Sequence, residues 1–404
     1  MKRTIKLALA AAVALTSTAA FATNGDHLIG MGAKARGMGG VGIGMSHGAE
    51  TALANPALIT TVKGTEISFG GTIFMPDVET DVGMGEGSLK SDADLSVIPE
   101  VAIAQNLGNG ISWGIGMYGT AGMGTDYRNE APLAGNFNMV TNLQLMQFAV
   151  PVAYKAGAFS VGIAPVLQYG SLDINYDLTG FGAGTASKTQ GVAQDFGVGY
   201  NVGAAYSEEG LTVGASYKSA IDMNYKGQIS KATAQFSALL GGSTAVLSDN
   251  LEQPAEIGAG ISYAFGGNTI AADFKRINWA SAKGYKDFGW EDQNVYIIGY
   301  QYAQDSWALR AGYNYAKSPI KEDTAGTPQA AVNNLFNLLG FPAIVEKHYT
   351  VGGSYALSKA TSVDLAYVYV PEAQETFSTA GMGMSSITTK HSQDALSMQL
   401  NFAF

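Results

Sequence analysis

The side chains that most often carry out catalysis are few and dispersed along this chain. Cysteine is absent, so thiol nucleophiles and disulfides are excluded. The four histidines, His27, His47, His348 and His391, lie far apart, and no Gly-x-Ser-x-Gly sequence stands on a predicted strand-to-helix turn. His391 and Ser392 are interpreted as a solvated pair at the external end of a strand. The sequence therefore predicts no enzyme and no catalytic residue.

Acidic and glycine-rich segments suggest two further kinds of chemistry. Gly-x-Gly patterns such as Gly197-Val198-Gly199 lie within predicted strands, so they do not form nucleotide-binding loops. An acidic run either binds divalent cations among lipopolysaccharide head groups or is simply a solvated loop; it comprises Asp77, Glu79, Asp81, Glu86, Asp92 and Asp94. We expect no metal and no cofactor.

The net charge argues against nucleic acid as a partner. The formal charge is -10 and the isoelectric point about 4.9. The first 22 residues hold three basic and no acidic side chains, so the remainder carries -10 - 3 = -13. Binding to nucleic acid needs a basic face, which this composition does not favour.

The first 22 residues have the features of a secretory signal peptide. Three basic residues precede a short apolar core from Leu7 to Leu15, and Ala20-Phe21-Ala22 resembles a cleavage site. The apolar core is too short to span a bilayer. We expect residues 1–22 to be removed and the mature chain to begin at Thr23.

The composition of the remainder is that of an all-β protein with little charge. Charged residues make up 14% of the chain, against about 25% in ordinary globular domains. The chain has 52 glycines and 20 tyrosines. No other stretch approaches the roughly 20 apolar residues that a spanning helix needs. A membrane barrel is one fold that fits these numbers.

Several segments alternate large apolar residues with small or polar ones. At the end of the chain Leu396, Met398 and Leu400 share one face of a predicted strand, and Ser397 and Gln399 share the other. A period of two is typical of a membrane barrel whose bulky face meets lipid. A soluble sandwich with its apolar face turned inward has the same period, so alternation alone leaves both folds open.

The lengths of the connections favour the barrel. We predict fourteen strands, at 65–75, 95–106, 110–120, 139–155, 158–176, 193–207, 210–226, 252–265, 268–281, 292–303, 306–317, 347–358, 361–372 and 390–404. Every second connection is tight, and the others are long and polar or glycine-rich, as in an up-and-down barrel with short periplasmic turns and long external loops. A Greek-key sandwich has no reason to keep this rhythm. The last strand ends in Phe404, which resembles the terminal signal of outer-membrane proteins.

The segment before the first strand is rich in glycine and alanine. It contains Gly-x-x-Ala-x-Gly from Gly32 to Gly37, then Gly39 and Gly40, and it ends in Asn55-Pro56-Ala57. Together with Trp113 to Gly119 and Leu309 to Tyr313, these motifs resemble the FadL/TodX family of outer-membrane transporters for hydrophobic compounds. The resemblance covers essentially the whole mature chain.

The resemblance implies a fourteen-stranded antiparallel transmembrane β-barrel, residues 63–404, whose lumen is plugged by an N-terminal hatch, residues 23–62. A barrel of this width cannot be filled by its own side chains. Pro56 fixes φ, so the chain must turn there. The hatch would be carried by Gly37, Gly39, Gly40, Asn55, Pro56 and Ala57. The alternative is a tight turn that merely leads into the first strand.

The third strand contains Gly114, Gly116 and Gly119. Glycine often marks a bend or bulge in a strand, and the resemblance associates an inward kink here with a lateral opening in the barrel wall. We therefore interpret these glycines as a lateral gate. The alternative is that small residues face a crowded lumen.

Two long loops contain apolar residues at helical spacing. They are interpreted as a capture groove for a hydrophobic ligand, or alternatively as helices that pack on each other and cap the barrel. The residues concerned are Phe236, Leu239, Leu240, Val332, Leu335, Phe336 and Leu339.

The ligand is predicted to be a hydrophobic small molecule, either a long-chain fatty acid or a neutral or aromatic hydrocarbon, that crosses by passive diffusion. Arg310 is the only arginine placed clearly on the predicted lumen face, and the fifth strand has no basic residue, which disfavours a tight carboxylate site. The lumen positions are expected to be mostly Gly, Ala, Ser and Tyr. The alternative is a general diffusion porin, whose channel is polar. We expect a monomer surrounded by outer-membrane lipid and lipopolysaccharide, and exit by lateral opening or by hatch movement.

Overall fold

A computed structural model describes residues 23–85, 87–129, 137–178, 186–187 and 191–404. The predicted signal peptide, residues 1–22, and Glu86 of the acidic run lie outside the described residues.

Fourteen antiparallel strands form one closed barrel. They are β1 (Thr65–Asp81), β2 (Ser96–Gly108), β3 (Ile111–Asp126), β4 in two pieces (Val140–Ala149 and Val152–Ala156), β5 (Phe159–Asp177), β6 (Ala193–Glu208), β7 (Leu211–Lys218), β8 (Glu256–Phe265), β9 (Asn268–Ile277), β10 (Gln293–Ala303), β11 (Trp307–Ala316), β12 (Lys347–Ala356), β13 (Thr361–Ser378) and β14 (Ser386–Ala403). Each strand pairs with its neighbours in sequence, and β14 pairs with β1, from Ala403 opposite Glu66 to Thr388 opposite Asp81. The predicted number of strands and the antiparallel order are confirmed.

The bulky faces of the strands point outward. On β14 the side chains of Leu396 and Met398 are 46% and 53% exposed, whereas those of Ser397 and Gln399 are buried. The same alternation recurs around the barrel, where exposed Ile, Leu, Val, Phe and Tyr cover the outside. This excludes the sandwich, whose apolar faces would turn inward.

Several strands end at places that the sequence pattern did not predict. The seventh strand was expected to reach residue 226, but β7 ends at Lys218, and only two isolated bridges continue its pairing. Conversely, β1, β3 and β13 extend several residues beyond their predicted ends. The pairs that extend the β13–β14 ladder include Thr376 opposite Thr388, and such polar pairs lack the apolar alternation on which the prediction depended.

Residues 23–62 contain little strand. Two short pieces, Thr23–Asn24 and His27–Leu28, pair with each other, and helix α1 (Gly32–Arg36) follows. Two 3-10 helices, Gly48–Leu53 and Pro56–Thr61, complete the segment. Most of its residues are buried, and they contact the inward side chains of strands around the barrel, as described below. We call residues 23–62 the N-terminal segment.

Helices also occur in the long connections, which all lie at one end of the barrel, here called the long-loop end. Helix α2 (Ile229–Leu239) lies between β7 and β8, and α3 (Pro328–Leu335) lies between β11 and β12. A π turn, Phe336–Gly340, continues α3. Shorter 3-10 turns are Trp279–Ser281, Tyr285–Phe288 and Ala380–Met382. In the part of the chain that is described, no helix combines the length and apolar character needed to cross a bilayer.

Candidate functional site

The N-terminal segment is attached to the barrel wall by a buried ion pair. Arg36, at the end of α1, donates from Nη1 to Oε2 of Glu100 on β2 at 2.9 Å and from Nη2 to Oε1 of the same carboxylate. Nη1 also donates to Thr72 Oγ1 of β1 at 2.8 Å. Both charged side chains are almost completely buried. Two parallel N–H···O bonds are the strong geometry for an arginine and a carboxylate.

A second attachment lies on the opposite side of the lumen. The carboxylate of Asp273 on β9 accepts hydrogen bonds from three consecutive backbone N–H groups: Gly42 at 2.7 Å, Ile43 at 2.7 Å and Gly44 at 3.1 Å. Successive backbone N–H groups form an anion-binding concavity of this kind. Sequence reasoning missed both Glu100 and Asp273. Each could have been found in the sequence as an acidic residue at an inward-facing position of an otherwise apolar strand.

The predicted anchor Asn55-Pro56-Ala57 lies against β6 and β5. Asn55 Nδ2 donates to the Ile43 carbonyl at 2.9 Å and to the Ala204 carbonyl at 3.2 Å, and Oδ1 accepts from Ala57 N at 3.1 Å. Pro56 begins the second 3-10 helix of the segment, with Asn55 as its N-cap. Ala204 lies near the short-turn end of β6. Asn55 therefore joins two parts of the N-terminal segment to the wall near the end predicted to be periplasmic.

The predicted glycines of the segment pass close to β11 and β12. Gly39 N donates to Thr350 Oγ1 at 2.9 Å, and its carbonyl accepts from Asn314 Nδ2 at 3.0 Å. A Cβ on Gly37 would lie 3.1 Å from the Cα of Gly352. Gly40 has a φ of 96°, and a Cβ there would overlap the Ile29 carbonyl oxygen. At Gly39 and Gly40 the close backbone and the positive φ leave no room for a side chain.

An apolar cavity lies between the N-terminal segment and the long-loop end. Its lining combines aliphatic side chains of β3 and β5 with aromatic side chains of the loops: Met123, Leu172, Ile174, Ile229, Leu251, Tyr285, Phe288, Trp290, Asn337 and Phe341. No charged side chain belongs to this lining. The space inside it that water can occupy is about 20 Å³, enough for about one water molecule, so any larger occupant must displace lining side chains.

The residues predicted to capture ligand lie directly above this cavity. Phe236, Val332, Leu335, Phe336 and Leu339 are completely buried, and the rings of Phe236 and Phe336 meet edge to face at 5.4 Å. Leu239 and Leu240 are half-buried. The helices therefore pack on each other as a cap, and the predicted capture residues that solvent reaches are the two leucines at the end of α2, Leu239 and its C-cap Leu240.

The wall of the barrel is interrupted between β2 and β3. Their ladder ends at Glu100 opposite Tyr118, although both strands continue toward the long-loop end. On its other side β3 pairs with β4, and the register slips between Gly119 and Ala121. From Tyr118 to Asp126 every residue of β3 is buried, so this half of the strand no longer exposes one face to the outside.

The three predicted gate glycines differ in position relative to this interruption. Gly114 and Gly116 pair with Ala104 and Ala102 in the intact part of the ladder. Only Gly119 lies where the ladder has ended, and an added Cβ there would meet the side chain of Ile98.

The start of the N-terminal segment contacts the displaced part of β3. His27 forms a bridge with Ala121, and Gly122 N donates to the Asp26 carbonyl at 3.1 Å. The Asp26 carboxylate accepts from Tyr285 Oη and, at 3.2 Å, from Gln253 Nε2. Burial raises the pKa of Asp26 above its usual value. Because Tyr285 also lines the cavity, this contact connects the cavity, the N-terminal segment and β3.

The lumen wall is more charged than the sequence led us to expect. Positions predicted to be mostly Gly, Ala, Ser and Tyr include Glu256, which lies 2.9 Å from Lys218 Nζ and 3.5 Å from Lys275 Nζ. Arg310 does face the lumen, 3.9 Å from Asp364. The sequence pattern did not reveal these charges, because a charged residue at an inward position leaves the alternation of the strand intact. These charges surround the N-terminal segment and do not line the apolar cavity.

Two of the histidines that could suggest chemistry, His47 and His391, have structural partners. His391 is buried, not solvated as predicted, and its Nδ1 lies 2.8 Å from the Pro342 carbonyl. Ser46 Oγ lies 2.7 Å from Thr61 Oγ1, and His47 Nε2 turns to the Val41 carbonyl. Among the described residues, no three His, Asp or Glu side chains are grouped as metal ligands.

A closed fourteen-stranded barrel with an apolar outer surface and an internal N-terminal segment defines an outer-membrane β-barrel. The chain belongs to the family of outer membrane protein transport proteins (OMPP1/FadL/TodX), whose profile matches residues 8–404. It is an outer-membrane protein.

Similar proteins are known from sequence and from solved structures. A 47 kDa outer membrane protein of Pasteurella multocida is 23% identical over 408 residues, which cover 90% of this chain and 92% of that protein. The toluene transporter TodX of Pseudomonas putida has a TM-score of 0.67 at 20% identity, covering 95% of this chain and 100% of that one. A FadL homologue of Pseudomonas aeruginosa has a TM-score of 0.70 at 15% identity, covering 94% and 100%. These structural likenesses show the fold.

Proposed function

We propose that this protein carries uncharged hydrophobic small molecules passively through the outer membrane, by way of the apolar cavity and the interruption between β2 and β3. The main support for this proposal is that Met123 belongs both to the cavity lining and to the displaced half of β3. A molecule in the cavity is therefore next to the break in the β2–β3 ladder. The transport of toluene by structural relatives supports this proposal.

The cavity lining has no charged side chain, and this discriminates between the two predicted ligand classes, fatty acids and neutral or aromatic hydrocarbons. A buried carboxylate needs a cation or several donors, and the polar group nearest to Tyr285 is the acidic side chain of Asp26. A neutral or aromatic hydrocarbon needs no cation or hydrogen-bond donor, and the acidic side chain of Asp26 does not repel it. The proposal therefore favours it over a fatty acid.

Residues 23–62 are proposed to act as the hatch, and residues 63–404 as the barrel. The support lies in the buried attachments of Arg36, Asn55 and the Gly42–Gly44 amides to four different strands. Breaking a buried ion pair costs about 3–5 kcal/mol, so a hatch held in this way stays in place while ligand leaves sideways. A general diffusion porin is disfavoured, because the segment fills the space that a polar channel would need.

Capture is proposed to begin at Leu239 and Leu240, with the buried residues of the cap serving as the roof through which ligand passes. We further propose that the protein acts as a monomer and that its outer surface contacts lipopolysaccharide. Neither capture nor passage through the cap is proposed to involve an enzymatic reaction.

A reversible cross-link across the interruption tests this path. The Cβ of Ile98 lies 3.7 Å from the position of a Cβ on Gly119, close to the mean of about 3.8 Å in disulfides, and the chain has no other cysteine. In cells that produce the Ile98→Cys/Gly119→Cys double variant, toluene uptake should fall to the level of cells without the protein and return on reduction. The two single variants are the controls. Uptake that is the same in the oxidised and reduced states contradicts the proposed path.

A second experiment tests the charge of the ligand. Toluene uptake by cells that produce the unmodified chain should be reduced by naphthalene and unaffected by an equal concentration of benzoate or decanoate. Competition by the carboxylates would overturn the assignment to uncharged molecules and leave the path itself intact.

A further inference from the structure

Three side chains supply the hydrogen-bonding groups in the lining of the apolar cavity: Tyr285, Trp290 and Asn337. The rest of the lining is aliphatic or aromatic, apart from the thioether of Met123. All three polar side chains are almost completely buried. Because so few polar groups meet the cavity, the partners of these groups determine which ligands it accepts.

Trp290 and Asn337 are hydrogen-bonded to each other. Trp290 Nε1 donates to Asn337 Oδ1 at 3.0 Å, and Asn337 Nδ2 donates to the Phe288 carbonyl at 2.9 Å. Asn337 belongs to the π turn that continues α3, whereas Phe288 and Trp290 belong to the connection between β9 and β10. An indole has one N–H donor and no acceptor, so this bond uses the whole hydrogen-bonding capacity of Trp290.

The hydroxyl of Tyr285 is also engaged. It donates to Asp26 Oδ2 and accepts from Gln253 Nε2 at 3.2 Å, and neither partner belongs to the cavity lining. The ring centroids of Tyr285 and Trp290 are 4.8 Å apart, and both rings pack against Trp279, at 4.7 and 5.0 Å. The hydrogen bonds and the ring contacts therefore hold these aromatic side chains in place, with their polar atoms already bonded to protein.

A ligand hydroxyl in this cavity can only share an atom of these side chains that is already bonded, whereas in water it has free partners. Burial of a hydroxyl without a hydrogen bond is costly, more so in surroundings like alkane than in octanol, which can itself hydrogen-bond. The ligands p-xylene and p-cresol differ only by a methyl group in place of a hydroxyl. Both are uncharged at neutral pH, because a phenol ionises at about pH 10, so comparing them isolates the effect of the hydroxyl.

We propose that the hydrogen-bonded pair of Trp290 and Asn337 determines the specificity of the cavity, which accepts aromatic hydrocarbons and rejects aromatic compounds that carry a hydroxyl group. Each member of the pair occupies the polar atom that the other would otherwise offer to a ligand. The inference rests on the proposed function, and it adds a selection among uncharged molecules to the selection against carboxylates.

Equilibrium dialysis of the purified protein in detergent, with protein-free micelles as the blank, tests this specificity. The unmodified protein should prefer p-xylene to p-cresol by about tenfold or more beyond their ratio of octanol–water partition. Trp290→Phe leaves Asn337 Oδ1 without its donor while Nδ2 stays on the Phe288 carbonyl, so p-cresol can donate to it and the preference should fall about tenfold. The Trp290→Phe/Asn337→Leu double variant is the matched control, because it removes the acceptor as well and should restore the preference.

The reciprocal variant provides an independent measurement. Asn337→Leu leaves the Trp290 N–H without its acceptor, so it should improve the binding of p-methylanisole, which can only accept a hydrogen bond, relative to p-xylene. Trp290→Phe should not produce this change. A merely structural effect of either substitution would weaken all of these ligands alike and leave their ratios unchanged.

A preference of the unmodified protein no larger than the octanol–water ratio would overturn the proposal, as would unchanged ratios in both single variants. Strong binding of p-cresol by the double variant would also overturn it, because the space left by the indole would then explain the change. If the unmodified protein bound neither p-xylene nor p-cresol, the proposed function would fail together with this inference. Selective binding of p-xylene together with toluene uptake that the cross-link does not affect would overturn the transport path alone.

Discussion

The guanidinium of Arg36 and the carboxylate of Glu100 form a bidentate pair between the N-terminal segment and the barrel, at the last rung of the β2–β3 ladder. Glu100 is the residue opposite Tyr118, where that ladder ends. The pair is 64 positions apart in sequence and almost completely buried. The strongest attachment of the proposed hatch thus lies at the base of the proposed lateral opening.

Removing one partner of this pair should loosen the hatch. Arg36→Met leaves the Glu100 carboxylate buried without its cation, which costs about 3–5 kcal/mol. We expect the barrel to fold and the ion conductance in planar bilayers to rise several-fold, because the segment no longer fills the lumen. Adding Glu100→Leu to this variant should restore the low conductance in part. An Arg36→Met protein that conducts no more than the unmodified one would contradict the hatch.

The buried carboxyl group of Glu50 should make the stability of the protein depend on pH. It belongs to the N-terminal segment, and burial raises the pKa of its carboxyl from 4.5 to about 8. Between these values the folded state keeps a proton that the unfolded state releases. The contribution of Glu50 to stability is therefore greatest below pH 4.5 and falls as the pH rises toward 8, by at most about 1.4 kcal/mol per pH unit.

The range from pH 6.5 to 8 isolates this effect. Burial lowers the pKa of His47 from 6.5 to about 3, so its contribution has the opposite sign, and above pH 6.5 it changes by only about 0.4 kcal/mol. In urea unfolding from lipid vesicles, the midpoint should fall between pH 6.5 and 8, and Glu50→Gln should reduce that fall. Glu372→Gln, at an exposed position, is the control and should not alter it.

The barrel could be predicted from the sequence because the alternating surroundings of its strands impose a period of two on the residues. Lipid on one side and the filled lumen on the other make residues such as Met398 and Gln399 alternate, and the short and long connections give the order of the strands. Periodicity did not assign Asn55 and Gly39 to a segment inside the barrel; only the family resemblance did.

The attachments could not be predicted, because periodicity carries no information about which inward residue meets the segment. Arg36 has many possible acidic partners in sequence, and only the register of the folded barrel brings Glu100 to it. The length of β7 was overestimated for a related reason. Ile221, Met223 and Tyr225 continue the alternation, but they are buried beneath the cap and not against lipid.

The cap and the capture residues should respond differently to truncation. Phe336 is completely buried against Phe236 and Tyr176, and removal of such a ring costs about 3–5 kcal/mol. Phe336→Ala should therefore expose Lys231 of α2 to trypsin and raise toluene uptake at low concentration. Leu239→Ala removes a half-buried side chain, so it should leave trypsin resistance unchanged and lower uptake two- to fivefold. Equal effects of the two substitutions on proteolysis would contradict the separate roles.

Gly40 offers a test in which backbone conformation is held constant. Gly40 and Gly85 have φ values of 96° and 92°, so alanine at either position pays a similar conformational cost of about 1–2 kcal/mol. At Gly85 a Cβ meets nothing within 4 Å, whereas at Gly40 it overlaps the carbonyl oxygen of Ile29. Gly40→Ala should therefore separate the two halves of the N-terminal segment and raise ion conductance, and Gly85→Ala should leave conductance unchanged. If both variants conduct like the unmodified protein, the close passage at Gly40 is not needed to seal the lumen.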